Sequence, residues 1–464
     1  MLIQNRRDFL KMMALAGAVS SPLTNLLNPS LSFATGTSST PKNLIVINLR
    51  GGFDTLAAFP YFMDPNFGPN DANNFMPYLR NEARPNIFTL PATTLSLANA
   101  GTFNLRANNY MGFSPSLAAL KPIYDAGGMA LIQGVGITKD SAGGGSHDFC
   151  ENCYSFGRKD FQGAENRGWF AALIEQMGLQ SNQAFGFGCA GRPDFITRDS
   201  KLAPMVGNAT EDLQWNDPSG ASRLALNRQA TLDLMAGFSS ESPAQNRIRD
   251  ALASMIDTTG LMGDVNTSTN PGGSRALIGT YPQGGDATLG PALRSVARII
   301  AYNHGSNKNQ LFYTVQAGFD THANQGGYDG AGAPSGNLHG LLAHVGASIS
   351  ALVTDLKNPA RPNWQNTAII LYSEFGRSVK QTGGAGSDHG AGGTFLMMGG
   401  GVSTGVYGTA PTKQSMSDYN LILPSIEFQN LLSPAVRWFG GNDLELFPRD
   451  LYTRNSSIAD GIIT

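Results

Sequence analysis

The sequence predicts an α/β sandwich built on a mostly parallel β-sheet, and three observations lead there. Short apolar runs of strand length alternate with helical patterns along the chain. Most of those runs end in a glycine-bearing loop that also carries an acid or an imidazole. With 464 residues, of which 41% are hydrophobic, the chain is long enough to bury a large core.

Leu44-Ile45-Val46-Ile47 reads as a buried strand running into Leu49-Arg50-Gly51-Gly52-Phe53-Asp54. Ser116–Tyr124 is a short helix, and Met129–Ile132 is the next strand. The loop Gly143-Gly144-Gly145-Ser146-His147-Asp148 then leads into a helix through Cys153. Between about 191 and 290 the chain is more polar, with helical patterns over Arg223–Phe238 and Ala244–Ile256, and we expect an inserted cap there. Its Ser/Thr/Asn/Gly-rich stretch, Thr258–Gly273, reads as a loop. Leu293–Ala301 is a helix, and Leu311–Val315 a strand ending at Gly318-Phe319-Asp320-Thr321-His322. Apolar residues from Leu338 to Leu356 recur at three- and four-residue steps, the mark of an amphipathic helix. Thr367–Tyr372 is a strand ending in Ser373-Glu374-Phe375-Gly376-Arg377, and the loop Gly386-Ser387-Asp388-His389-Gly390 precedes the strand Thr394–Met398.

At the N-terminus, Asn5-Arg6-Arg7-Asp8-Phe9-Leu10-Lys11, a broken apolar run and Ser32-Phe33-Ala34 resemble a bacterial twin-arginine export signal cleaved after Ala34. Residues 1–34 are therefore set aside from the fold, and 35–464 form the domain. The implied partner is the twin-arginine translocation machinery, and the implied location is periplasmic or secreted. No later segment offers 18 uninterrupted apolar residues, so we expect a soluble protein without a permanent membrane anchor. A net charge of −2 with 14% charged residues gives no electrostatic footprint for nucleic acid. Three cysteines make no disulfide scaffold. Cys150 and Cys153 form a lone C-x-x-C, read as two incidental thiols or a local link, and Cys189 stands apart.

The chemistry gathers at strand ends. Asp54, Asp320 with His322, Glu374, and Asp388 with His389 all sit at such positions, and Ser146-His147 follows a further strand. In an open parallel sheet these loops border the ligand crevice. Oxygen and imidazole ligands without thiolate suit a divalent metal, with zinc or manganese ahead of calcium or magnesium. Of the six histidines, three fall in these loops. His304, His339 and His344 read as structural or solvated; the last two lie about 140° apart around a helix. No phosphate-binding loop, nucleophile elbow, zinc-protease helix or dinucleotide fingerprint is present.

Leu-Arg-Gly-Gly-Phe-Asp, Gly-Ser-His-Asp, Gly-Phe-Asp-Thr-His-Ala-Asn-Gln, Ser-Glu-Phe-Gly-Arg and Ser-Asp-His-Gly together resemble a bacterial secreted family, "domain of unknown function fifteen-oh-one". The likeness extends to Trp438-Phe439-Gly440-Gly441. That family in turn resembles the alkaline phosphatase superfamily. The resemblance implies a three-layer sandwich with helices on both faces. It also implies metal ligands at Asp54, Asp320, His322 and His389, and a nucleophile at Ser146. The chain departs from the pattern in two places: Glu374-Phe375 stands where Asp-His is usual, and Asp320 and His322 are closer together. A second metal site is thus altered, served by Asp388 or His147, or lost.

The resulting expectation is an exported hydrolase of phosphate or sulfate esters, small-molecule or glycan, using a metal-activated serine or water. Ser146 would attack, or simply cap a helix. Arg50 or Arg377 would hold a non-bridging oxygen, or serve in a structural salt bridge. His147 would be a ligand, a base or a packing residue. The alternative is a non-catalytic envelope binding protein on the same fold.

Overall fold

The structure, a computed structural model, describes residues 40–61, 78–87, 111–137, 145–159, 168–188, 205–207, 261–283, 288–328, 334–413, 421–449, 452–459 and 461–464. All of them fall in one of the two units into which the chain divides, Ser39–Asn216 with Asp257–Thr464. The expected signal peptide, the two helical patterns at 223–238 and 244–256, Cys189 and most of the expected insertion lie outside the described residues.

Among the described residues, a short strand pair lies at Gly327–Tyr328 and Pro334–Ser335. The large sheet and the site are built from eleven further strands: β1 (Asn43–Leu49), β2 (Met129–Gly136), β3 (Ala184–Phe187), β4 (Met205–Gly207), β5 (Gln310–Gln316), β6 (Thr367–Tyr372), β7 (Arg377–Gln381), β8 (Ser387–His389), β9 (Gly393–Gly399), β10 (Gly405–Tyr407) and β11 (Ile426–Glu427). Nine of them form one sheet in the order β10-β2-β9-β6-β1-β5-β3-β4, with β11 also beside β2. β1 pairs in parallel with both β5 and β6, in register Leu49 to Gln316 and Asn48 to Tyr372. Only β9 runs against its neighbours, β2 and β6. Its reversal matters for the site. The start of β9 lies at the same rim as the ends of β1, β2, β5 and β6, so the chain entering β9 meets the chains leaving the other four. β7 and β8 pair antiparallel just above that rim.

Every residue of β1, β2, β5, β6 and β9 is buried. Successive side chains of a strand point to opposite faces, so full burial means that both faces of the sheet are covered. The covering helices include α1 (His147–Phe156), α2 (Trp169–Gln176), α3 (Leu289–Asn303), α4 (Asn337–Leu356) and α5 (Gln429–Phe439). Tyr154 of α1 stacks on Tyr372 of β6 at 4.8 Å, and Phe170 of α2 meets Tyr313 of β5 edge-on at 5.6 Å. α3 packs on β5 and on α4, whose buried Leu338, Leu342, Val345, Ile349, Leu352 and Leu356 follow the helical period. Among the described residues, no helix is long and apolar enough to cross a membrane.

Two expectations need correction. The stretch 258–273 is not a loop throughout, because 261–269 is helical. Met262 and Val265 anchor it in the core, while Thr267, Ser268 and Thr269 turn their hydroxyls back to carbonyls four residues earlier. Those backbone contacts let a polar, turn-like composition sit in a helix. The helix expected over 116–124 is in fact a 3-10 segment, Pro115–Leu120, followed by a short α-helix, Lys121–Asp125. Pro122 has no N–H to offer the preceding turn, which accounts for the break.

Candidate metal centre

Three loops converge at the rim: the one after β5 brings Asp320 and His322, the one after β6 brings Glu374, and β8 brings Asp388 and His389. The N-terminal end of α1 adds Gly145, Ser146 and His147. One ligand atom each from His147, Asp320 and His389 lie within 4.8 Å of one another. His322 joins them, with its Nε2 2.9 Å from Asp320 Oδ1 and 3.0 Å from His389 Nε2.

The three imidazoles share one arrangement. His147 Nδ1 lies 2.8 Å from Glu374 Oε1, and His322 Nδ1 lies 2.9 Å from Asp388 Oδ1. His389 Nδ1 bonds the carbonyl oxygen of Gly145. Each acceptor is a carbonyl or a carboxylate, so each Nδ1 carries the proton and donates it. Each ring therefore turns its Nε2 toward the Asp320 carboxylate. Nε2 of His147 is buried, makes no hydrogen bond, and stands 3.6 Å from Asp320 Oδ2. In the neutral tautomers three lone pairs and a carboxylate face a common space, an arrangement that repels itself unless a cation shares it. Imidazoles pinned through the far nitrogen to an acceptor are the usual form of histidine ligands to transition metals. The donor set, all nitrogen and oxygen, suits zinc or manganese.

Local electrostatics agree with this assignment. The hydrogen bond that His147 donates to Glu374 raises the pKa of His147, against burial and with added help from the charges of Glu374 and Asp320. A more basic ring is a better donor to a cation. Burial lowers the pKa of His389, although its bond to Gly145 opposes this. Burial pushes the Asp320 carboxyl up, yet Arg377, His322 and His147 together hold it below its ordinary value. The same is true of Glu374, where bonds from His147, Ser373 and Gly51 outweigh burial.

Two glycines make the approach of these loops feasible. Gly145 has φ +85°, and a Cβ there would stand 2.4 Å from Cβ of His389. Gly52, at φ +75°, would put a Cβ 2.2 Å from the Phe375 ring. Phe375 in turn packs 4.9 Å from both His147 and His389, giving the centre an apolar wall. A cavity of about 420 Å³ opens nearby, lined by Asn86, Ile87, Asn324, Gly326, Gly327, Ser335 and Ala385.

The residues expected at the site from the sequence divide sharply. His147, Asp320, His322 and His389 come together. Glu374 and Asp388 do not stand among the facing atoms; each is the hydrogen-bond partner of a histidine. Asp54 is placed elsewhere. It is fully buried, its two oxygens held by Arg84 at 3.0 and 2.8 Å, by Gln325 at 2.6 Å and by its own helix-capping contact with Ala57. With its lone pairs engaged, it has none to offer a metal. Arg377 is also committed: its guanidinium donates to the carbonyls of Gly51, Gly52, Phe319 and Ser387 and to Asp320. It ties three loops together rather than reaching for a substrate oxygen. Arg50 pairs with the buried Glu151. Ser146 caps α1, its Oγ accepting from Phe149 N at 3.4 Å. Cys150 and Cys153 are unbridged, and burial pushes both thiols up to about 12, which makes them unreactive. Arg84 and Gln325 were not singled out by sequence reasoning. The stretch Ala-Asn-Gln after His322 was the only hint of Gln325.

The fold and this cluster define a class: an α/β protein with an imidazole–carboxylate centre at the carboxyl rim of a mostly parallel sheet. The chain belongs to the family described as Protein of unknown function (DUF1501), which matches residues 163–424. No curated protein matches the sequence. Among solved structures it is similar to an alkaline phosphatase superfamily protein from Vibrio parahaemolyticus, at 8% identity and TM-score 0.37, covering 87% of this chain and 70% of that one. It is similar to the sulfatase PsFucS1 from Pseudoalteromonas sp., at 12% identity and TM-score 0.36, covering 90% and 70%. It is also similar to a phosphonate monoester hydrolase from Silicibacter pomeroyi, at 11% identity and TM-score 0.34, covering 74% and 72%.

Proposed function

We propose that this protein is an exported hydrolase of phosphate or sulfate esters that uses one divalent cation, zinc or manganese, held by His147, Asp320, His322 and His389. The observation that carries this reading is the common orientation of the three rings, each pinned at Nδ1 and turned by Nε2 to Asp320. A divalent cation there would supply Lewis-acid polarisation of a phosphoryl or sulfuryl oxygen. The chain's own residues would do the rest. Glu374 and Asp388 fix the tautomers of His147 and His322, and Arg377 fixes Asp320. Ser146, between the two residues that contact the centre, presents a hydroxyl at the N-terminus of α1. There the helix dipole and first-turn N–H groups favour the charge of an incoming oxyanion. Phe375 keeps water from one side.

A specific observation favours a second reading, metal binding without turnover. Both arginines expected to clamp a substrate oxyanion, Arg50 and Arg377, are engaged within the protein. Metal content after folding with zinc or manganese, followed by hydrolysis of p-nitrophenyl phosphate and p-nitrophenyl sulfate, separates the two. Metal uptake that Asp320→Asn abolishes, together with cleavage of either ester, supports the hydrolase. Uptake with neither ester cleaved supports the binding protein, and a protein that takes up no metal overturns both. Export rests on the signal-like N-terminus, Asn5–Lys11 with the apolar run and Ser32-Phe33-Ala34. Retention in the cytoplasm by Arg6→Lys/Arg7→Lys, against periplasmic recovery of the unaltered chain, tests it.

A further inference from the structure

Behind the facing rings, one fully buried amide touches both loops that carry them. Nε2 of Gln325 donates to Asp54 Oδ2 at 2.6 Å, while its Oε1 accepts from Thr321 Oγ1 at 3.1 Å and from Ser387 Oγ at 2.7 Å. The orientation of the amide is fixed, because a carboxylate only accepts and would repel the amide oxygen. Thr321 stands between Asp320 and His322, and Ser387 immediately precedes Asp388 and His389. On its other side Gln325 leans on Asp54, itself clamped by Arg84. Arg84 is anchored in turn to the carbonyls of Ser378 and Val379 in β7. The main chain reinforces the same junction, with Gln325 N bonded to Ala385 O and Ser387 N to Thr321 O, both at 3.0 Å.

We propose that Gln325 is a positioning residue for the metal centre. Through Thr321 and Ser387 it sets the separation of the Asp320–His322 and Asp388–His389 loops, and the Asp54–Arg84 pair holds it in place. This rests on the reading that the centre binds a divalent cation. The physical reason is that the Asp320–His322 segment lies outside the large sheet's ladder and meets β8 only through a few main-chain bonds, so side-chain ties between the two bear on their spacing. A single amide accepting from both Thr321 and Ser387 adds a side-chain tie to the main-chain bonds that already join the two segments. Hydrogen-bond partners of the ligands themselves typically change metal affinity by about ten- to a hundredfold, and Gln325, one bond further out, acts at the low end of that range.

The test uses Co²⁺, whose visible absorption reports the geometry of its ligands, in the full-length protein. Gln325→Met keeps the volume and removes all three bonds. Co²⁺ affinity is expected to fall by up to about tenfold with a shifted absorption band. Thr321→Val and Ser387→Ala each remove one bond and are expected to give smaller shifts in the same direction; they serve if Gln325→Met does not fold. Asp355→Asn, a buried polar change against Tyr281 at the far end of α4, is the control and is expected to leave affinity and spectrum unaltered. Unchanged affinity and spectrum in the Gln325 and Ser387 variants, with Co²⁺ bound by the unaltered chain, overturns the positioning role alone. An unaltered chain that binds no Co²⁺ overturns the metal reading and this inference with it.

Discussion

Glu374 Oε1 accepts a hydrogen bond from His147 Nδ1 at 2.8 Å, and this almost wholly buried carboxylate also accepts from Gly51 N and Ser373 Oγ. The sequence suggested a ligand at Glu374, whereas in the structure this carboxylate accepts from His147 and fixes that ring's tautomer. Replacing the charge by an amide keeps the shape and removes the electrostatic support. Glu374→Gln is expected to bring the His147 pKa down toward its ordinary value and weaken zinc binding by about ten- to a hundredfold. Titration of the ring by NMR and calorimetric zinc binding check both parts.

Arg84 and Asp54 form a buried ion pair with neither side chain exposed to solvent. Removing one partner leaves an uncompensated buried charge. Arg84→Met is therefore expected to cost about 3–5 kcal/mol of stability. The loss should be larger with metal present than in a chelator, since the pair also holds Gln325 behind the metal centre and weaker metal binding returns less stability. Pairing it with Asp54→Leu should recover part of the loss. Urea unfolding of the single and double variants measures this.

Ser146 can cap α1, attack a substrate, or do both, and two substitutions separate these roles. Ser146→Ala removes cap and hydroxyl, with an expected loss of about 1 kcal/mol. Ser146→Asn keeps a good capping group without a nucleophile, so its stability should match the unaltered chain within a few tenths of a kcal/mol. Ester cleavage lost in both variants would mark the hydroxyl as the attacking group. Cleavage retained in Ser146→Asn would assign the attack to water.

His339 is buried against Ser116, and burial lowers its pKa from 6.5 to about 4. The folded protein thus keeps this ring neutral at acidities where the unfolded chain takes up a proton. Its influence is absent above the unfolded pKa of about 6.5 and grows as the pH falls toward about 4. The destabilisation should reach the order of 3 kcal/mol at the acid end, then level off. His339→Gln should flatten that part of the stability–pH curve, as measured by urea unfolding in a chelator between about pH 7 and about pH 4.

The strands and the long helix were legible because burial leaves a periodic mark on sequence. β6 runs over Thr367–Tyr372 as its composition suggests, and α4 follows its apolar repeat from Asn337 to Leu356. The gathering of histidines at one rim was legible too, since loops leaving parallel strands share an edge. The helix at 261–269 was hidden by its hydroxyl-rich composition. The division of labour among the acids was hidden as well, because Asp54, Glu374, Asp388 and Asp320 look alike in a sequence of strand-end carboxylates.

By itself, then, the sequence determined an alternating α/β chain with acids and imidazoles at its loop ends, because hydrophobic periodicity and glycine punctuation act over short spans. Which carboxylate faces the rings was decided only by tertiary structure. That choice depends on partners remote along the chain: Arg84 reaches Asp54 across 30 residues and Gln325 reaches it across 271, leaving Asp320 as the acid toward which the three histidines turn. A carboxylate's role is set by what fills its lone pairs, and long-range packing alone determines that.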